Sequence, residues 1–255
     1  MNSLTRTTTL SKSGDGLPSS VSKEKLVAGL AGLAITPELD SLASVVVHQW
    51  TKRERFKKLT EFGIQPIQKV LLYGPPGNGK TTACHWLASK INVPMYLVRS
   101  DALIGSYLGT TANNIRETTD WLAAKAGPSV VLFDEVESLF PSREESGHGT
   151  FGREIASAMT TFWQILDRWT GPQLFCFATN MPGALDEALI SRFELRLEFG
   201  PPSQSQIESV VEYWAEVFHE YSPEQWKTEV AGGNYESFRQ LWQTISNRVR
   251  EIALQ

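Results

Sequence analysis

The residues best equipped for chemistry lie in one run, Gly74-Pro75-Pro76-Gly77-Asn78-Gly79-Lys80-Thr81, followed by Thr82. The glycines let the backbone curl until successive N–H groups face inward, an arrangement that cradles phosphate oxygens. Lys80 would reach the β- and γ-phosphates as a point charge, and the Thr81 hydroxyl would ligate Mg²⁺. Val70–Tyr73 just before the run reads as a short buried strand. Thr81 to Ser89 reads as a helix whose positive end lies beneath the same phosphates. A strand before and a helix after are what this motif requires, and they separate it from a chance Gly/Pro-rich turn. The sequence is that of a nucleotide-binding protein.

A second run, Ser129-Val130-Val131-Leu132-Phe133-Asp134-Glu135, is an apolar strand ending in two acids. An acid at the carboxyl end of a strand beside a phosphate loop can hold Mg²⁺ through its water shell, and Asp134 takes that role. Glu135 can orient and polarise the attacking water. A third strand, Gln173–Thr179, ends at Asn180, which could reach the γ-phosphate or the water; Asn after a strand is otherwise a common turn residue.

These groups need a frame. The chain has 255 residues, 41% hydrophobic and 20% charged, with a net charge of −4. That composition suits a soluble globule with a substantial core, and the acidic balance argues against a nucleic-acid partner. No run approaches the roughly 18 apolar residues of a membrane span, and the N-terminus shows no secretory signal. Cys84 and Cys176 read as small buried hydrophobes in a reducing, cytoplasmic setting. Residues 1–22 are rich in Ser, Thr and Gly and read as a disordered tail. Residues 23–64 form a helical segment leading into the core: Leu39, Leu42, Val46, Trp50, Arg53, Phe56 and Leu59 recur at steps of three and four from Pro37 to about Phe62, with Thr36 as the cap. The basic cluster Lys52–Lys58 on its latter half reads as a solvated face, with a nucleic-acid or subunit contact as the alternative.

From residue 65 to 202 strands and helices alternate. Val93–Arg99, Ser129–Phe133, Gln173–Thr179 and Leu195–Phe199 read as strands, and Ala112–Ala126 and Glu154–Trp169 as helices. This order predicts an α/β fold, a doubly wound core with a mainly parallel sheet and its ligand at the carboxyl ends of the strands. Gly200-Pro201-Pro202 then breaks the pattern, and residues 203–255 read as a small α-helical lid with two amphipathic helices.

The runs GPPGNGKT, VVLFDEVESLF, FATNMPGALDEAL and SRFELRLEF, in this order, resemble the AAA+ ATPases, and within them the classical AAA branch of spastin-like and katanin-like proteins and compact bacterial relatives. The resemblance runs from about Lys69 to Pro202. It implies an ATP-hydrolysing core with ATP and Mg²⁺ as its cofactors, a helical lid, and assembly of copies into a ring, commonly a hexamer. It makes Asn180 the first sensor and Arg192 an arginine finger that completes the neighbouring subunit's site; an ion pair with Glu194 or Glu198 is the alternative for Arg192. Tyr107-Leu108-Gly109 matches the loop that grips a protein substrate in the central pore; an aromatic folded onto the core is the alternative. Pro141–Gly152 resembles the second pore loop, and its His148 has no partner cluster that would make it a metal ligand. Ser191 stands where the family often has a second arginine. Only Arg248 and Arg250 offer themselves as a second sensor in the short lid, and no folded domain is predicted ahead of the core.

The resulting expectation is a ring-forming, Mg-dependent ATPase that remodels or threads a protein. An ATP-gated assembly switch recruiting a separately encoded effector is the main alternative, and a DNA-associated loader a weaker one.

Overall fold

A computed structural model of the chain describes residues 16–26, 37–52, 55, 58–59, 61–64, 66–105, 107, 109–139, 150–218 and 222–253. The elements run β1 (Val21–Glu24), α1 (Pro37–Thr51), β2 (Lys69–Tyr73), α2 (Lys80–Lys90), β3 (Met95–Arg99), α3 (Thr110–Lys125), β4 (Ser129–Asp134), α4 (Thr150–Asp167), β5 (Gln173–Thr179), β6 (Leu195–Glu198), α5 (Gln204–Val217), α6 (Pro223–Trp226) and α7 (Phe238–Ala253). A wider π turn, Lys227–Ala231, continues α6.

The strands form one sheet in the order β1-β3-β4-β5-β2-β6. Every pairing is parallel except that of β1 with β3. Side chains along a strand alternate between faces, so each strand feeds two cores. On one face Val70, Leu72, Val130, Leu132, Leu174 and Cys176 pack with Leu39, Leu42 and Val46 of α1 and Ala83, Cys84 and Leu87 of α2. On the other, Leu71, Val131, Phe133, Phe175 and Phe177 pack with Ile115 and Leu122 of α3 and Met159, Phe162 and Trp163 of α4. Phe133 and Phe177 lie stacked, ring centroids 4.8 Å apart. Strands buried on both faces explain the unbroken apolar runs in the sequence.

The mainly parallel sheet with helices on both faces is the expected α/β architecture. Both thiols are buried and free. A hydrogen bond with Cys176, reinforced by burial, pushes the Cys84 thiol well above its ordinary value.

The chain departs from expectation at its start. Residues up to 22 read as a tail and those from 23 as helical, yet Val21–Glu24 is a strand pairing with all but the last residue of β3. Pro18 and Val21 are buried there, and Ser20 Oγ meets Thr118 Oγ1 of α3 at 2.6 Å. A four-residue edge strand with one inward face has too short a pattern to stand out against Ser and Thr.

The lid has a core of its own: Ile207, Val210 and Val211 of α5, Trp226, Val230, and Leu241 and Ile245 of α7. Its entry is sharp because Ser203 and Gln206 exchange hydrogen bonds in a capping box at the start of α5, directly after Pro201-Pro202. The helical stretch 223–231 was not foreseen.

Candidate functional site

The phosphate loop leaves β2 at the carboxyl end of the sheet, where the sequence placed it. Gly74 has φ +136°, and a Cβ there would lie 2.3 Å from the Phe199 carbonyl oxygen, so only glycine allows the loop to pass the end of β6. Gly77 has φ +85°, and a Cβ would press within 3.1 Å of Arg239 Cβ. Lys80 is buried, its Nζ donating to the carbonyls of Gly74 at 2.6 Å and Pro75 at 3.0 Å. Burial pulls this ammonium below the ordinary lysine value; Asp134 and then Glu137 pull it up, and Arg239 pulls it down. Its present acceptors are two backbone carbonyls of the very loop that would cradle an anion.

β5 lies between β2 and β4. This order brings the ends of three strands together, so Lys80-Thr81, Asp134-Glu135 and Asn180 converge although the set spans 100 positions of sequence. Thr81 Oγ1 donates to Asp134 Oδ2 at 3.3 Å, uniting the two residues expected to hold the cation. Asp134 Oδ1 accepts the Glu135 N–H at 3.0 Å. Glu135 itself sits at φ +53°, a left-handed conformation that costs a non-glycine residue about 1–3 kcal/mol, and its side chain is exposed. Such local strain recurs at working sites, and here it turns Glu135 away from the direction of β4. The Asn180 N–H reaches Glu137 Oε1 at 3.3 Å.

The arrangement fits a magnesium nucleotide on its own chemistry. Asn78 Nδ2 is buried without an acceptor beside the loop. Gly79 has open space where a Cβ would stand, and Thr81 and Asp134 already meet. Among the described residues no group of three His, Cys, Asp or Glu could hold a metal ion unaided. A cation at Thr81 and Asp134 would therefore take its remaining ligands from phosphate and water, as Mg²⁺ does.

Asn78 does more than the sequence suggested. Its Oδ1 accepts the Phe238 N–H at 3.2 Å, and the Gly77 carbonyl accepts the Arg239 N–H at 3.0 Å. The first turn of α7 is thus docked on the phosphate loop, and Arg239 is the lid arginine beside Lys80. Neither sequence candidate is so placed: Arg248 pairs with Glu229 and Glu251 within the lid, and Arg250 donates to Asn247. A signal for Arg239 existed. A cation in the first turn of a helix opposes the helix dipole, which makes sense where an anion binds.

Arg192 lies elsewhere. Its Nη1 pairs with Asp167 Oδ2, not with Glu194 or Glu198. Asp167 Oδ1 also takes Lys69 Nζ at 2.9 Å, and Lys69 lies 3.4 Å from Glu194. Lys69 opens β2 and the phosphate loop follows its last residue, so the strand's length, about 13 Å, separates this charge cluster from the loop.

Tyr107 is 78% exposed and so does not fold onto the core. A tight turn presents it: the Tyr107 carbonyl accepts from the Thr110 N–H at 3.2 Å and from its hydroxyl at 2.5 Å. The Gly109 N–H is held by Glu154 of α4. Leu108, the second expected contact, and positions 141–149 of the expected second loop, with His148, lie outside the described residues.

A six-stranded, mainly parallel sheet with a phosphate loop, an acid pair and a docked helical lid defines a phosphate-loop ATPase architecture. Residues 70–201 match the ATPase family associated with various cellular activities (AAA), and the chain belongs to that family of ATP hydrolases. It is 34% identical over 153 residues to an uncharacterised AAA family ATPase, y4kL, of Sinorhizobium fredii, covering 60% of this chain and 45% of that one. It is also 34% identical over 150 residues to a putative 26S proteasome regulatory subunit homolog of Methanothermobacter thermautotrophicus, covering 58% and 40%. The chain thus spans less than half the length of these relatives. The ADP-bound AAA domain of FIGL-1 shares the fold, with a TM-score of 0.60 at 20% identity over 91% of this chain and 87% of that one. Members of the AAA family typically oligomerise. Among the described residues no helix is long and apolar enough to cross a membrane.

Proposed function

We propose that this chain is a ring-forming, Mg²⁺-dependent ATPase that spends ATP hydrolysis on remodelling or threading a protein. The observation that carries the reading is the division of the machinery between the two ends of the sheet. Lys80, Thr81, Asp134, Glu135 and Asn180 gather at one end, and Arg192 stands at the other, too far to serve its own phosphate loop. A second copy supplying Arg192 completes the site, which makes assembly a condition of turnover; a hexameric ring is the closed form proposed.

In this reading Gly74–Thr82 bind and orient the phosphates, with Lys80 leaving its two carbonyl acceptors for phosphate oxygens. Thr81 and Asp134 hold the cation, which when bound offsets charge on the transferring phosphoryl group. Glu135 accepts the hydrogen bond of the attacking water and aligns it. Asn180 holds that water or the γ-phosphate, and Arg239 supports the phosphates from the lid. Arg192 of the neighbour stabilises charge that develops as the bond breaks. The exposed Tyr107 offers ring area to an extended polypeptide without demanding a sequence. Two free buried thiols suit a cytoplasmic setting.

The test mixes two inactive proteins. Arg192→Ala is expected to bind ATP and hydrolyse it at least about a hundredfold more slowly, the scale of one lost transition-state donor. Glu135→Gln is expected to bind and not turn over. Co-assembled, some interfaces pair an intact Arg192 with an intact Glu135, and partial recovery of phosphate release is the expected result. No recovery from a demonstrated mixed assembly would overturn the finger supplied by a neighbour.

A further inference from the structure

A third acid follows Asp134 and Glu135. Glu137 stands on the helical turn Val136–Leu139 that leaves β4, and it is half-buried. Its Oε1 accepts the Asn180 N–H at 3.3 Å, linking the exit of β4 to the exit of β5. Its Oε2 is buried and meets no hydrogen-bond donor. A carboxylate oxygen shut away from water without a donor is expensive, and an amide or apolar side chain at this position would avoid much of that cost. The oxygen therefore points to a donor that arrives with a ligand.

The surroundings say which donor. Lys80 Nζ is committed to the Gly74 and Pro75 carbonyls here and to phosphate in the bound state. Asp134 is engaged as an acceptor: its two oxygens take the Thr81 hydroxyl and the Glu135 N–H. Glu137 nevertheless shares this space, since its charge and that of Asp134 both act on Lys80. Waters bound to a divalent cation are strong hydrogen-bond donors, and the residues suited to hold the cation, Thr81 and Asp134, stand alongside.

We infer that Glu137 is a positioning residue of the nucleotide site: Oε1 fixes Asn180, and Oε2 accepts a hydrogen bond from a water of the cation held by Thr81 and Asp134. The inference rests on the magnesium-nucleotide reading of that site. Glu137 acts through the water and through Asn180, and does not touch the phosphate.

Glu137→Gln is close in shape and can keep the Asn180 bond through its amide oxygen, but it turns an NH₂ toward the water in place of an acceptor. The experiment measures Mn²⁺ affinity in the presence of ADP by electron paramagnetic resonance, together with ADP affinity without metal and thermal melting. Loss of an outer-shell partner typically costs about 10–100-fold in metal affinity or activity, so Mn²⁺ binding should weaken by that factor while metal-free ADP binding stays within about twofold. The concentration of Mg²⁺ giving half-maximal ATP turnover should rise in parallel. Glu137→Ala, which also releases Asn180, should in addition lower the turnover number at saturating Mg²⁺. Wild-type Mn²⁺ affinity in Glu137→Gln, or a lowered melting temperature as its only change, overturns the assignment. Absence of any Mn²⁺–ADP binding by the wild-type protein would instead overturn the nucleotide-site reading itself, so the two failures are told apart.

Discussion

The two ends of the sheet are built on opposite plans. At the carboxyl end the phosphate loop, Asp134-Glu135 and Asn180 come from local motifs and leave polar groups waiting: Asn78 Nδ2 and Glu137 Oε2 are buried and unpartnered, and Lys80 makes do with its own loop's carbonyls. At the amino end Lys69 of β2, Asp167 at the end of α4, and Arg192 and Glu194 of the segment leading into β6 satisfy one another. An unsatisfied site is prepared for a ligand. A satisfied cluster holds the fold together, and an arginine inside it must be drawn out of an existing ion pair before it can act on anything else. For Arg192 this makes the ion pair with Asp167 the arrangement that the proposed finger role would have to displace.

The largest effects should fall on the waiting end. Lys80→Ala should lower ATP affinity by at least about a hundredfold, as loss of charge-assisted bonds to phosphate at a buried site implies. Glu135→Gln should leave affinity near wild type and cut turnover by about 10²–10⁴-fold, the range of general acid–base catalysis. Fluorescent-nucleotide binding and single-turnover phosphate release separate the two. Equal ATP affinity in wild type and Lys80→Ala would break the comparison at its stronger side.

The satisfied end should answer in stability. Removing Asp167 strips Arg192 of its partner and leaves Lys69 only Glu194. Asp167 is partly exposed, so the full cost of breaking a buried pair is discounted for solvent screening to about 1–2 kcal/mol. Asp167→Ala should lower the urea midpoint accordingly and leave nucleotide affinity within about twofold, because the strand's length separates it from the loop. A fall in affinity matching that of Lys80→Ala would show that the two ends are not independent.

Most of the waiting end is legible in sequence because its chemistry is local. Gly74–Thr81 needs its residues in one run, and Asp134-Glu135 needs only a strand before it. The satisfied end is not legible, because its pairs are long-range: Arg192 meets Asp167, 25 positions away, and not the nearby Glu194 or Glu198 that stood as the alternative to its finger role. Glu137 was hidden for a different reason. Two residues past Glu135, it carries no signal of its own in the sequence until the placement of β5 brings the Asn180 N–H against it. Arg239 needed the docking of α7 on Gly77 and Asn78, which amphipathic spacing does not contain. The β1 strand was missed because its apolar signal is a single inward residue, Val21, among Ser and Lys.

The lid arginines sharpen the comparison at smaller scale. Arg239 is bonded through its N–H to the Gly77 carbonyl and its charge acts on Lys80, while Arg248 is paired within the lid. Arg239→Ala should weaken ATP binding by about tenfold, one charge-assisted hydrogen bond, and Arg248→Ala should leave it unchanged. Calorimetric titration of both variants checks the pair, and the reverse ranking would return the second-sensor role to Arg248.

The smallest effect is a fraction of a proton, and it tests whether Lys80 is really waiting. In the free protein burial holds its pKa below the ordinary lysine value, helped by Arg239 and opposed by Asp134 and Glu137. Phosphate favours the ammonium, so the pKa rises on binding. With the bound value above the free one, nucleotide binding takes up protons only in the alkaline window between them. Below that window Lys80 is charged in both states and affinity is flat with pH; within it affinity falls as pH rises, by at most about tenfold per unit. Calorimetry of MgADP binding in two buffers of different ionisation enthalpy measures the uptake directly, well above the range where the nucleotide phosphates titrate. Lys80→Arg should abolish it, because a guanidinium stays charged throughout. Arg239→Gln should shrink it, because removing the neighbouring cation lets the free-state pKa climb toward the bound one. Proton release in place of uptake would mean that Lys80 is held charged more firmly before the nucleotide arrives than after.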